Sequence, residues 1–438
     1  MSLANIKDVI RKIDYTLTED DIDYWSNVCK DAVQNDTYDF STFSRDIYSQ
    51  MGKKRVICSF SKLSVENILC HYLKRQLDRA FYIKYASRSK IINLLFNMLV
   101  ATKNMNDFVI VRADFKSFFD SVLSEYVHKK YILTSMLRRE DKEILERYIG
   151  CFKYCYAGLC LSNGMTEIVC KDFDIVLKAK LSEFGVFFYE RYVDDMLIMF
   201  NNYISEDKVK NVINETIHEV FGTCPVRLSN KEGKFSYIAR RNLSLTQHFN
   251  FLGYDFFVLN EEEGKIKFVY GIADKKRVKY SNIIERAFIQ YKLTGNKELL
   301  RQRLKIFSSR VVIARQIQGS SFDWLTKGVV ANYNELRHYC NSLHSDTEKF
   351  LKGLFYQLLK KYNLKRPYFL PKQSSNEESI YSLYSNLRRN RTLLFEEKIG
   401  IPKEVILKWI YKIDSSYSAH GKDYYRIVIE YLEMIKIN

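Results

Sequence analysis

The stretch VFFYERYVDDMLIMF, residues 186–200, is made of two apolar runs around Tyr192-Val193-Asp194-Asp195. Each run is short and rich in β-branched and aromatic side chains, and few residues separate them. The stretch therefore predicts a β-hairpin that carries two acids at its tight turn. Upstream, DFVIVRADF (107–115) is another short β-branched run and predicts a buried strand ending at Asp114. Helical periodicity fills the interval, through about residue 150 and again in GMTEIVCKDFDIVLKAKL (164–181). Downstream, SEDKVKNVINETIHEVF (205–221) reads as helix, LSNKEGKFSYI (228–238) as a polar stretch and FNFLGYDFFVL (249–259) as strand. This order of strand, helix, hairpin, helix and strand predicts an α+β fold with an antiparallel or mixed sheet backed by helices on one face.

Asp114, Asp194 and Asp195, brought together at strand ends, are the strongest chemical signal in the chain. Carboxylates on a sheet edge offer hard oxygen ligands that suit two Mg2+ ions about 3.5–4 Å apart, with Mn2+ as a substitute. In phosphoryl transfer one ion lowers the pKa of an attacking 3′-hydroxyl. The other neutralises charge on the triphosphate and the leaving pyrophosphate. Asp is also a common turn former, and the residues alone leave that plainer reading of Asp194 and Asp195 open.

Composition narrows the setting. The 438 residues are 47% apolar, enough for a large core and two to four domains at roughly 100–200 residues each. With 69 Lys and Arg against 52 Asp and Glu, the net charge of +17 is spread along the chain and favours a polyanionic partner. The 32 Tyr and 29 Phe interleaved with cations suit bases stacked beside phosphates, although most rings fill cores. Nine cysteines without paired spacing predict a reduced, cytoplasmic chain, and Cys151, Cys155 and Cys160 lack a Cys-x-x-Cys pair or a nearby His for zinc. The N-terminal stretch has no apolar core of signal-peptide length and no run approaches a membrane span, which predicts an unexported protein with no membrane partner. With only four prolines, residues 1 to about 100 read mainly as helices, as in SVENILCHYLKRQLDRAF (64–81). From about 275 to the end the pattern is helical and basic, broken by polar PKQSSNEES (371–379).

Several motifs carry a resemblance to reverse transcriptases. Val111-Arg112-Ala113-Asp114-Phe115-Lys116-Ser117-Phe118-Phe119 resembles their motif A and Tyr192-Val193-Asp194-Asp195 their motif C, at a palm-like separation of 80 residues between Asp114 and Asp194. The resemblance implies Asp114, Asp194 and Asp195 as catalytic and metal-binding, with Phe115 joining the metal set. Phe119 stands where a bulky ring leaves no room for a 2′-hydroxyl, which implies deoxynucleotides; an ordinary core Phe is the alternative. GLCLSNGMTE (158–167) occupies the place of motif B. Asn163-Gly164 is nearest to the usual Pro-Gln-Gly and Thr166 lies near the usual Ser, a departure that puts template fidelity in doubt and leaves a helix-entry turn as the alternative. Lys53-Lys54-Arg55-Val56-Ile57 and Ala86-Ser87-Arg88-Ser89 resemble fingers segments of bacterial reverse transcriptases, implying nucleotide contacts by Lys54, Arg55 and Arg88. Leu228-Ser229-Asn230-Lys231 resembles motif D, whose lysine acts near pyrophosphate, with Lys234 competing with Lys231 for that role. Phe251-Leu252-Gly253-Tyr254 resembles the primer grip, or else is a strand with a bulge glycine.

The resemblance covers roughly residues 50 to 260 and is strongest to bacterial defence-associated reverse transcriptases of the abortive-infection type. RLKIFSSRVVIARQIQGSSFDWLTKGV (303–329) and TLLFEEKIGIPKEVILKWI (392–410) resemble the type 3 defence enzymes. It implies a right-hand polymerase with an N-terminal helical region and fingers (1–106), a palm with motifs A to E (107–258), a helical thumb (259–345) and a C-terminal helical module (346–438). The implied activity is RNA-directed DNA synthesis in antiphage defence, from dNTPs on a structured non-coding RNA template, yielding a DNA product. A second defence protein, a second reverse transcriptase or a higher oligomer is among the implied partners. Two alternatives stand beside it: an untemplated or protein-primed DNA polymerase of terminal-transferase type, and a catalytically silent RNA-binding scaffold. Acids after residue 280, such as Asp323 and Glu335, are scattered and predict no RNase H centre.

Overall fold

The computed structural model describes residues 3–14, 17–50, 53–261, 265–316, 322–373 and 379–437. The chain divides into two compact units, Met1–Ile91 with Asn104–Asn242, and Ile92–Lys103 with Leu243–Asn438. The fold is mixed α and β, with mainly antiparallel sheets and many helices. No described helix is long and apolar enough to cross a membrane.

The first unit runs through α1 (Leu3–Ile13), α2 (Glu19–Gln34), β1 (Ser44–Gln50), β2 (Lys53–Ser59), α3 (Val65–Ala80) and the start of α4 (Arg88–Thr102). It continues with β3 (Val109–Asp114), α5 (Ser124–Val127), α6 (Arg139–Cys151), α7 (Cys160–Ser182), β4 (Val186–Tyr192), β5 (Asp195–Phe200), α8 (Glu206–Phe221) and β6 (Ser236–Ala239). Local chemistry sets these boundaries. Thr18 caps α2, its hydroxyl accepting from the Asp21 amide while the Asp21 carboxylate accepts from the Thr18 amide, and three acids in the first turn suit the helix dipole. In β3 all six residues are buried, because both faces of this central strand are covered. The four strands pair in the order β4-β5-β3-β6, every neighbour antiparallel.

Helix α7 buries Leu161, Met165, Ile168, Val169, Phe173 and Leu177 at helical spacing and packs against α3 and α8. Phe115 stacks on Phe118 at 5.0 Å and meets Phe173 of α7 and Phe221 of α8 edge-on at 5.3 and 5.8 Å. This aromatic cluster fixes the end of β3, where Asp114 lies, to the two helices behind the sheet.

The second unit holds a three-stranded antiparallel sheet of β7 (Thr246–Phe251), β8 (Tyr254–Asn260) and β9 (Ile266–Ile272), then α9 (Asp274–Thr294) and α10 (Lys297–Ser308). After these come β10 (Arg310–Gln316), β11 (Phe322–Lys327), α11 (Val329–Asn332), α12 (Ser345–Lys361), α13 (Leu383–Arg389), β12 (Thr392–Phe395), α14 (Lys403–Ile413) and α15 (Tyr424–Met434). Strand β10 pairs antiparallel with β11 and parallel with β12. The helical reading of residues 275 to 438 is corrected there: VVIA and TLLF are four-residue apolar runs of strand length, too short to register against the helical pattern around them. The hairpin of β1 and β2 likewise interrupts the N-terminal stretch read as helices. Val311, Phe395, Ile406, Ile410, Tyr424, Ile427 and Tyr431 form one core, so residues on both sides of position 345 share it. Of the polar break at 371–379, residues 374–378 lie outside the described residues, as do 317–321 of the 303–329 stretch.

Candidate active site

Antiparallel pairing brings the acids together. Asp114, the last residue of β3, lies directly opposite Asp195, the first of β5. Tyr192 pairs with Asp195 across β4 and β5, so Val193 and Asp194 form a two-residue turn. The Phe115 amide donates to the Asp194 carbonyl at 3.1 Å, fastening that turn to the end of β3. Val193 stands at φ +59°, a left-handed backbone that a β-branched residue rarely adopts, at a strain of about 1–3 kcal/mol. Two-residue hairpins with a positive φ at the first turn position ordinarily take glycine, asparagine or aspartate there.

Two cations face the three acids. Arg112 sits two residues before Asp114 on the same strand, so its side chain lies on the same face. Its Nε donates to Asp195 at 2.9 Å, Nη1 donates to the Gly233 carbonyl, and Nη2 stands 3.7 Å from Asp114. Lys234 donates to the other acid, Asp114. The turn that delivers Lys234 is closed by its amide on the Lys231 carbonyl at 3.0 Å, while Lys231 itself is exposed. The lysine brought to the acids is thus Lys234. Among the described residues no side chain donates to Asp194.

Burial raises the Asp194 carboxyl to about 6, and the neighbouring Asp114 charge adds to the rise. Burial also raises Asp195, opposed by its hydrogen bond from Arg112. A carboxylate that is half-buried, without a side-chain donor and repelled by another acid has the character of a group that awaits a cation. The donor chemistry therefore fits a divalent ion. Among the described residues no three acid, His or Cys side chains stand in a finished metal cage, and Arg112 and Lys234 pair with two of the three acids. Phe115 has its ring in the core, so its backbone carbonyl is the only ligand it has to offer.

The segment 158–167 leads into the first turns of α7. Asn163 and Gly164 lie inside α7 rather than in a glycine turn; Asn163 is exposed and Gly164 is buried, with a Cβ built there no closer than 3.7 Å to its neighbours. Gly158 is the constrained glycine. It stands at φ +101°, and a Cβ there would run into the Cys58 carbonyl of β2, beside the hydrogen bond from the Cys58 amide to the Ala157 carbonyl. Gly158→Ala is expected to destabilise the chain by about 2 kcal/mol or more, and Gly164→Ala to stabilise it by about 0.5–1 kcal/mol through helix propensity. Chemical denaturation of the two variants measures both signs.

Phe119, in the short turn Phe118–Asp120 after Ser117 at φ +48°, is half-buried and meets Phe118 at 5.8 Å. Arg88 opens α4 and is half-buried. Lys54 and Arg55 lie on β2 opposite Ser49 and Tyr48, and their side chains fall outside the described residues. In the second unit, Phe251 and Tyr254 pair across a two-residue turn whose Leu252 and Gly253 stand at φ +48° and +84°, the pattern of a type I′ hairpin rather than a bulged strand. The Tyr254 hydroxyl donates to Glu335, and the Ala273 amide to the Gly253 carbonyl at 3.0 Å.

No protein-family model matches the chain, and no curated protein does. Solved structures of similar shape include apo telomerase from Candida tropicalis truncated from its C-terminal domain, at 14% identity and a TM-score of 0.34, covering 56% of this chain and 60% of that one. Telomerase from Candida albicans in complex with a TWJ fragment of telomeric RNA matches at 12% identity and a TM-score of 0.40, over 95% of this chain and 70% of that one. The chain thus spans less than two thirds of the length of the first. Likenesses at this level decide neither the fold nor the function of this chain.

Proposed function

We propose that the chain is an RNA-directed DNA polymerase of the right-hand type that adds dNTPs to a 3′-hydroxyl in antiphage defence. The observation that carries the reading is the register of β3 against β5, which sets Asp114 opposite Asp195 with Asp194 in the adjoining turn. Asp114, Asp194 and Asp195, with the Phe115 carbonyl, would hold Mg2+. Bound there, Mg2+ acidifies a 3′-hydroxyl and neutralises charge on a triphosphate. Lys234, which donates to Asp114, would offer a cation to triphosphate oxygens, while Arg112 holds Asp195 from inside the sheet. The half-buried ring of Phe119 forms the sugar-side wall, and Arg88 with Lys54 and Arg55 gives the fingers their charge. The defence setting, the non-coding RNA template and the assembly partners rest on the motif resemblance alone.

The test is to purify the full chain from its native locus, supply Mg2+ with each labelled dNTP or NTP, and sequence both co-purified RNA and product. Deoxynucleotide incorporation complementary to the bound RNA is the expected result, with ribonucleotides admitted by Phe119→Ala. A DNA product without a complementary template favours the terminal-transferase alternative, and no incorporation under any condition sinks the polymerase reading in favour of a scaffold.

A further inference from the structure

Arg191, three residues before Asp194, is a buried guanidinium with no role in the chemistry described so far. Its Nε donates to Asp174 at 2.9 Å, Nη1 to Glu167 at 3.0 Å, and Nη2 to Glu167 and Asp174 at 2.7 and 3.0 Å. Nη1 also donates to the carbonyl of Val193, inside the strained turn, at 2.8 Å. Glu167 and Asp174 are seven residues apart on α7 and so share one face across two turns. Tyr189, two residues before Arg191 and on the same side of β4, adds a hydrogen bond to Asp174 at 2.6 Å. One planar fork thereby joins two acids of α7 to the backbone of the acid-bearing turn. An ordinary structural ion pair needs only the carboxylates; the bond to Val193 is what the turn receives. Asn163 and Gly164 lie one helical turn before Glu167, so the same helix carries the segment that stands in the place of motif B.

We propose that Arg191 is a positioning residue that clamps the Val193-Asp194 turn to α7, holding the left-handed Val193 backbone and moving the acids and the first turns of α7 as one body. The clamp is a statement about this chain's packing; its consequence for metal and nucleotide rests on the polymerase reading above. Lysine in place of Arg191 keeps the charge and loses the fork, so it cannot hold both acids and the carbonyl at once.

The test uses the full chain as Arg191→Lys, with Glu167→Gln in its place should the lysine variant fail to fold. Hydrogen exchange of the metal-free protein reads the clamp directly. Residues 192–195 are expected to exchange about tenfold faster or more in the variant, with β3 and the second unit unchanged. Mn2+ titration followed by electron paramagnetic resonance is expected to show affinity weakened about tenfold, as for loss of a group that orients a metal ligand. In nucleotide addition kcat falls roughly 10- to 100-fold while KM for the dNTP stays within about twofold, because the acids and not the nucleotide contacts are displaced. Unchanged exchange at the turn overturns the clamp whatever the protein does with nucleotides. Faster exchange with unchanged Mn2+ affinity and kcat overturns the positioning role. A wild-type chain that neither binds Mn2+ nor adds nucleotide defeats the polymerase reading, and the exchange result then decides the clamp alone.

Discussion

In the absence of divalent ions and above pH 6, Asp194→Asn is expected to melt higher than the wild-type chain, by several degrees. The folded carboxyl of Asp194 is raised to about 6 from an ordinary 3.8 by burial and by the charge of Asp114. The folded chain therefore holds this proton more tightly than the unfolded one. The contribution of Asp194 to stability is intact below about pH 4, declines as pH rises, and is lost once pH has passed 6, a change of about 3 kcal/mol. Asparagine keeps the shape without the charge and escapes that loss. Saturating Mg2+ at pH 7.5 should return the wild-type chain to comparable stability, by roughly 2–3 kcal/mol at a hundred times the dissociation constant, and leave the Asn variant little changed. Thermal melts of both proteins at pH 4.5 and 7.5, with EDTA or with Mg2+, make the comparison. A wild-type melting temperature that rises from pH 4.5 to 7.5 in EDTA relative to the variant contradicts the assignment of the charge.

Arg112→Met is expected to destabilise the first unit by about 3–5 kcal/mol, the range for removing one partner of a buried ion pair. Arg112 is 6% exposed, inside a strand whose six residues are all buried. Without it Asp195 loses its donor at 2.9 Å and the Gly233 carbonyl loses the guanidinium that holds the Lys234 turn. The double variant Arg112→Met, Asp195→Asn should recover part of the loss, since position 195 no longer carries a charge without its guanidinium, and the coupling between the two sites should reach about 1–3 kcal/mol. Urea titrations of the wild type, both single variants and the double variant give that coupling. Additive effects would show that Arg112 and Asp195 do not depend on each other.

The elements that carry the acids were legible because their signals are local. VFFYERYVDDMLIMF shows two strand-length runs and a turn within fifteen residues, and the hairpin, its tip and the strand ending at Asp114 follow from runs of that kind. The cations around the acids were legible only in part. Lys234 was a competitor to Lys231, and the turn between them, invisible in a polar stretch, decides which lysine arrives. Arg112 did carry a signal: an arginine within VIVRAD must find an acid if the strand is buried, and Asp114 follows two residues later. For the Arg191 pair with Glu167 and Asp174 the partners lie 24 and 17 residues away, and only the packing of α7 on the sheet brings them together. That Gly158 is the constrained glycine of GLCLSNGMTE is not legible, because a sequence shows which residue is glycine and not which φ is positive. Strands β10 and β12 form across about eighty residues, and no local pattern announces such pairing.

The proposed nucleotidyl transfer depends on Asp114 and on Asp194 in the adjoining turn. Single-turnover addition of one labelled dNTP to a 3′-hydroxyl primer, run side by side with wild type, Asp114→Asn and Asp194→Asn in Mg2+, tests it most directly. The wild type is expected to add the nucleotide and each variant to lose about 10³-fold or more, the several kcal/mol expected when a metal-holding group is removed, with both variants still folded. Addition at the wild-type rate by a folded Asp194→Asn protein would contradict it.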